Sequence, residues 1–130
     1  MPATGKNARL VRTVRCLAAL SLLSVSSAFA HHSYSVIDNC RFCIEHETYA
    51  LEEIAARFHH KLVWIHCYPN GNGRHARFAT DLLLIATRQK PFSWGSVDLV
   101  DAGEVRGRYI SALQAADRND IEPLLEFVRS

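Results

Sequence analysis

Apolar residues recur at helical spacing across residues 51–66. Leu51, Ile54, Ala55, Phe58, Leu62 and Ile65 stand at i, i+3, i+4, i+7, i+11 and i+14, which predicts an amphipathic helix. Glu52 and Glu53 fall in its first turn, where the helix dipole favours acids. His59 and His60 fall off that stripe and are expected to be solvated or locally bonded. Adjacent helical positions point in two directions, so the pair does not form a two-ligand metal face. Pro69 and Asn70-Gly71 stop the pattern. A second helix is expected over 74–89. Its stripe is Ala79, Leu82, Leu83 and Ala86, widened by Phe78 and Ile85. That helix is apolar over much of its circumference, which predicts a central position. Asp81 stands one turn beyond Arg77, at the spacing of an ion pair.

Lys90-Pro91 ends the second helix, and Phe92-Ser93-Trp94-Gly95 reads as a short aromatic connection over the core. Asp101 and Glu104 stand at capping-box spacing, so a third helix is expected from there to residue 116. Its inner face would be Val105, Tyr109, Ile110 and Leu113. Asn119 or Asp120 would cap a last short helix over 121–128, with Pro123 in its first turn, where a missing N–H costs little. No strand-period run, repeat or low-complexity segment interrupts this series. The expected fold class is all-α: a small helical bundle of four or five helices on one core.

Composition narrows the class without changing it. At 130 residues, with 48% apolar and 22% charged residues, the chain has globular values and room for one small domain. The formal charge of +2 is unevenly spread. Lys6, Arg9, Arg12 and Arg15 stand in residues 1–30 with no acid among them. Of the 15 basic residues, 11 then remain against 13 acids. The body therefore lacks the basic footprint of a nucleic-acid binder, and nucleic acid is not an expected partner.

Residues 1–30 read as a signal peptide. A basic stretch ends at Arg15, an apolar run follows from Cys16 to Val25, and Ala28-Phe29-Ala30 has the small-x-small pattern of a cleavage site. The run is short of the roughly 20 apolar residues of a membrane span. The expectation is an exported protein, periplasmic or secreted, with no stable span after signal removal. Residues 31–40 would be a short linker with a frayed polar start, and 41–130 the domain. Of four cysteines, Cys16 leaves with the signal. Cys40 and Cys43 form a C-x-x-C and Cys67 stands alone. Oxidation within this set is open after export. Cys40, Cys43 and His46 offer three zinc ligands without a fourth, so incidental thiols are expected.

The candidate chemistry lies between the two strongest helices, in His66-Cys67-Tyr68-Pro69-Asn70-Gly71-Asn72-Gly73-Arg74-His75-Ala76-Arg77. A Gly-rich turn feeding a helix N-terminus is an anion site, because its free N–H groups and the helix dipole favour negative charge. Gly71 and Gly73 permit close approach and positive φ, and Asn72 tolerates left-handed geometry and adds a side-chain donor. Arg74 and Arg77 can grip phosphate oxygens bidentately. His66 precedes the turn, where its neutral imidazole can accept a proton.

These twelve residues resemble the signature of the Fic (Fido) family, His-x-Phe-x-Asp/Glu-Gly-Asn-Gly-x-x-x-Arg, usually with Arg after the second Gly. The match falls on His66, Gly71, Asn72, Gly73, Arg74 and Arg77. The run from Pro69 to Arg77 is most similar to the subgroup called mobile mystery protein B. Tyr68 stands for the usual Phe, Cys67 for that subgroup's Pro, and Asn70 for the acidic residue. The resemblance covers residues 41–130 and implies a Fic-like bundle with the motif loop between two central helices. It also implies a chain shortened on its N-terminal side, where relatives carry a further helix and a target-clamping flap.

The activity implied is protein adenylyltransferase: transfer of AMP from ATP to a Ser, Thr or Tyr hydroxyl of a target protein. His66 would be the base; Gly71, Asn72 and Gly73 the anion hole; Arg74 and Arg77 the phosphate ligands. The family's acidic residue holds Mg²⁺. Here that position is Asn70, whose neutral amide weakens the metal site. The alternatives are a Fic-fold module that binds phosphate or nucleotide without turnover, and a truncated, rearranged gene product. The family resemblance implies the cytoplasm, where ATP is plentiful, in place of the export read from residues 1–30.

Overall fold

The computed structural model describes residues 27–96 and 101–130, with side chains from residue 35 onward. Five helices follow in order: α1 Ser27–Glu45, α2 Leu51–Ile65, α3 Asn72–Ala86, α4 Ala102–Asp117 and α5 Glu122–Arg129. No strand occurs among the described residues, so the all-α expectation holds. The single expected core is replaced by two compact units that divide between Lys90 and Pro91. The division falls four residues beyond the end of α3, which closes at Ala86, short of the expected residue 89.

In the first unit α2 packs against both α1 and α3. From α1, Cys40 and Ile44 are buried and Val36 packs against the core. These positions share one face at i, i+4 and i+8. Residues 31–40, expected as a linker, are helical. The signal-peptide reading lies outside the described residues, except that residues 27–30 form the first turn of α1.

Leu62, Ala76 and Ala79 form the α2–α3 contact, with Phe58 and Val63 beside them. Alanine at positions 76 and 79 lets the two backbones approach closely. Leu83 and Leu84 carry the seam further along α3. Fully burying such a leucine contributes about 2 kcal/mol. Because α2 is covered on two sides, more of it is buried than one stripe predicts. His59 is fully buried and His60 nearly so. The expectation of solvated histidines is thus corrected: both lie on the broad inner surface that a helix between two neighbours must have. The outer face of α3 keeps Phe78 and Ile85 exposed.

In the second unit, α4 and α5 pack through Tyr109, Ala112, Ala115 and Ala116 against Leu124, Leu125, Phe127 and Val128. Ile110, expected inside, is exposed, and the three alanines take the inner face instead. Alanine presents so little apolar side chain that the periodicity passes over it. Asp101 caps α4 as expected, accepting a 2.7 Å bond from the Gly103 N–H. Ile121 occupies the N-cap position of α5, where Asn119 or Asp120 was expected. Asn119 instead makes the turn, at φ 68°. The segment before α4 folds over the end of α5. Ser93 donates both N–H and Oγ–H to the Val128 carbonyl at 3.0 Å, and the Gly95 N–H reaches the Ser130 carbonyl at 3.1 Å. Those are carbonyls that a helix end cannot satisfy by itself.

Candidate functional site

The site is made where α2 ends and α3 begins. His66 closes α2 in a left-handed conformation, φ 51° and ψ 57°, its N–H on the Val63 carbonyl at 3.3 Å. A helix that ends on a left-handed residue turns the chain sharply away from its axis. The imidazole is thereby carried out of the helix stack, and His66 is exposed.

The loop that follows is closed by one side chain. Asn72 Oδ1 accepts from the Tyr68 N–H at 2.9 Å, and Asn72 Nδ2 donates to the Tyr68 carbonyl at 2.7 Å. The amide satisfies both backbone groups of one residue, as a neighbouring strand would. Asn72 is nearly buried and is the first residue of α3. Sequence reasoning gave it left-handed geometry and a donor for the anion. Its backbone is helical, and its amide is committed to the loop. Of the two motif glycines, Gly71 has positive φ, 76°, and Gly73 does not. Gly71 is the N-cap of α3, so the first N–H groups of that helix open onto the turn.

Arg74 folds back over this turn. A Cβ at Gly71 would stand 3.4 Å from Arg74 Nη2 and 3.8 Å from Nε. The guanidinium therefore lies beside the helix N-terminus, and the two sources of positive potential coincide. Arg77, one turn on, is half-buried, and its Nε is fully covered. Its charge bears on the buried His59 of α2. The two arginines thus differ: Arg74 stands in solvent over Gly71, while Arg77 reaches the seam beneath. His75, between them, packs edge-on against the Tyr68 ring, centroids 4.9 Å apart. Burial lowers its pKa, so it adds no fixed charge.

Asn70 is exposed at the tip of the loop. Among the described residues no three His, Cys, Asp or Glu side chains gather as a metal would need. A single neutral amide oxygen does not fit Mg²⁺, which binds protein through carboxylates together with phosphate oxygens. The cysteines supply no alternative centre. No disulfide joins Cys40, Cys43 and Cys67. Burial, and then Cys43, push the Cys40 thiol up to about 12. His46 stacks on Phe42 at 4.0 Å and contacts the Phe42 carbonyl at 2.9 Å through Nδ1. Among the described residues no helix is long and apolar enough to cross a membrane.

Sequence reasoning missed the buried His59 beside Arg77 and the Asn72–Tyr68 closure. The first had a signal in the sequence: Ala55, His59 and Leu62 share a helical face at i, i+4 and i+7. The second had none, because the two residues meet through backbone geometry.

Comparison with known proteins gives the family. Residues 10–84 match the family model described as Fic/DOC family. Curated relatives include "Protein adenylyltransferase Fic" of Aedes aegypti, 34% identical over 74 residues, covering 57% of this chain and 13% of that protein. "Protein adenylyltransferase fic-1" of Caenorhabditis elegans is 32% identical over 76 residues, covering 58% and 14%. "Protein adenylyltransferase Fic" of Nematostella vectensis is 34% identical over 76 residues, covering 58% and 16%. The chain thus spans 13% to 16% of the length of these relatives. No solved structure matches. The family match contains the whole loop from His66 to Arg77, all of α2 and all but the last two residues of α3, and the chain belongs to the Fic/DOC family.

Proposed function

We propose that the chain transfers AMP from ATP to a Ser, Thr or Tyr hydroxyl of a target protein, with His66 as general base. One observation carries this reading. The Arg74 guanidinium lies over Gly71 at the opening of α3, one short loop after an exposed histidine. ATP would rest its phosphates on the N–H groups of Gly71, Asn72 and Gly73, with Arg74 and Arg77 neutralising their charge. The target hydroxyl gives its proton to the imidazole of His66, and its oxygen attacks the α-phosphorus. The bond from that phosphorus to the bridging oxygen breaks. Pyrophosphate departs with the electron pair, and AMP stays on the target oxygen. These parts act by positioning and by charge neutralisation, the main means of catalysis in phosphoryl transfer. The relatives' names support the reaction class.

Protein label from α-labelled ATP that disappears in His66→Ala is the expected result. Equal labelling by wild type and variant removes His66 as the base. A second reading is favoured by Asn70, which supplies an amide where metal-assisted transfer wants a carboxylate: a module that binds nucleotide without turnover. It predicts a higher melting temperature with ATP and no transferred label. A chain with no cooperative melt would instead mark a rearranged gene product without function.

The compartment is part of the proposal. The basic and apolar pattern of residues 1–30 supports export, whereas the family match, which begins at residue 10 inside that stretch, supports the cytoplasm. N-terminal sequencing from cell fractions decides between them. A chain starting at His31 outside the cytoplasm supports export, and one starting at Met1 within it rejects export.

A further inference from the structure

Phe78 stands on the outer face of α3, 63% exposed, one turn beyond Arg74. Its place in the helix puts it in line with the phosphate-binding turn. Gly71 and Phe78 are seven residues apart, so their directions around the axis differ by only about 20°. Arg74 lies between them on the same side, and Ile85 continues the line. Ala76, Thr80 and Leu83 are buried on the opposite side. Along the axis Phe78 is about 10 Å from Gly71. A helical side chain leans towards the N-terminus and covers the turn before its own Cα. The ring therefore covers the turn that carries Arg74. The gap that remains is of the kind a ribose bridges between a base and its α-phosphate. A lone exposed phenylalanine is ordinary. This one differs from the other exposed rings. Among the described residues four aromatic side chains are exposed: Phe42, Tyr49, Trp64 and Phe78. Phe42 is stacked with His46, Tyr49 lies under Arg57, and Trp64 lies under Lys61. Phe78 has no such ring or cation partner among the described residues.

We infer that Phe78 is the platform on which the base of the nucleotide stacks while the phosphates sit at the Gly71–Arg74 turn. The inference deepens the phosphate-binding reading of the site and rests on it. It assigns the half of the ligand that the N–H groups of Gly71, Asn72 and Gly73 and the two arginines leave unheld. A phenyl ring offers its π-face and no hydrogen-bonding group. Every base has a π-face, so stacking on such a ring is tolerant of base identity. The site therefore takes nucleoside triphosphates as a class, held at one end by charge and at the other by stacking.

The test measures the affinities of ATP, GTP and inorganic tripolyphosphate by calorimetry for wild type, Phe78→Ala, Phe78→Trp and Ile85→Ala in the full chain. Phe78→Ala should weaken ATP and GTP about tenfold, the effect of removing one stacked ring, and leave tripolyphosphate at its wild-type affinity. Phe78→Trp should hold both nucleotides at least as tightly as wild type. Ile85→Ala removes exposed apolar surface two turns farther along the same line and should change nothing. Wild type should bind GTP within about threefold of ATP. An ATP affinity unmoved by Phe78→Ala overturns the inference and leaves the phosphate reading standing. Equal losses of ATP and tripolyphosphate in Phe78→Ala, or a loss in Ile85→Ala as large as in Phe78→Ala, also overturn it. If Phe78→Ala fails to melt cooperatively, Phe78→Trp decides: its added indole emission should be quenched by ATP and not by tripolyphosphate, and emission that ignores ATP overturns the inference. A wild type that binds none of the three ligands overturns the phosphate reading and the inference with it.

Discussion

Acid should loosen the α2–α3 seam before it disturbs the rest of the first unit, and His59 should be the cause. Burial pushes its pKa down from 6.5 to about 3. The hydrogen bond to Ala76 opposes that shift, and the charges of Arg77 and His60 reinforce it. In the unfolded chain the same ring titrates near 6.5. Between those values the unfolded state binds the proton and the native state does not. The contribution is therefore fully present above pH 6.5 and is lost as pH falls towards 3. At pH 5 the loss relative to neutral pH is about 2 kcal/mol, and the full shift is worth about 5 kcal/mol. Carboxylates dominate below about pH 5, so pH 7 to 5 is the informative window. Urea unfolding followed by circular dichroism should show the midpoint of wild type falling across it. His59→Phe should be less stable at pH 7 and should fall less over the same range, keeping only the slope of His75, whose pKa burial also lowers. A wild-type midpoint unchanged from pH 7 to 5, or an equal slope in His59→Phe, would refute the buried neutral ring.

Three other expectations follow from particular contacts. Asn72→Ala leaves both backbone groups of Tyr68 without their partner and should lower stability by about 1–3 kcal/mol, with broadened amide resonances over 67–71 in an NMR spectrum. Gly95→Ala places a Cβ 2.9 Å from Phe127 Cε2 at a backbone φ of 73°. Strain and overpacking together should cost about 2–4 kcal/mol, read as a lowered melting temperature of the 91–130 unit. Asn70→Asp restores a carboxylate at the loop tip and should raise Mg²⁺ affinity in the presence of ATP, measured by calorimetry. An unchanged affinity would show that the loop does not direct position 70 at the metal.

Four of the five helices, α2 to α5, were legible in the sequence because their signals are local; α1, read as signal peptide and linker, was not. The α2 stripe, the Asp101 cap and the Pro69-to-Gly73 break each depend on residues a turn or less apart. The motif was legible for the same reason, since His66, Gly71 and Arg74 act through one continuous loop. Legibility stopped where a second helix decides the outcome. His59 looks polar and peripheral until α1 and α3 are both laid against α2. Ile110 looks buried until three alanines on α4 prove to be the closer fit to α5. The difference between Arg74 and Arg77 was also hidden. Both are basic residues on the same helix at i and i+3, and only the seam shows that Arg77 is half-buried beside His59.

The Asn72 amide gives the loop a frame that encloses positions 69 to 71 without using their side chains. Residue 70 can therefore change identity while the frame keeps its shape. Anion capture and metal capture become separable traits: the former is built into a rigid closure and the helix end, the latter hangs on one replaceable side chain. A lineage can lose a carboxylate there and retain the cradle. A single base change in an Asn codon, which is enough to make Asp, would return the carboxylate without refolding the site.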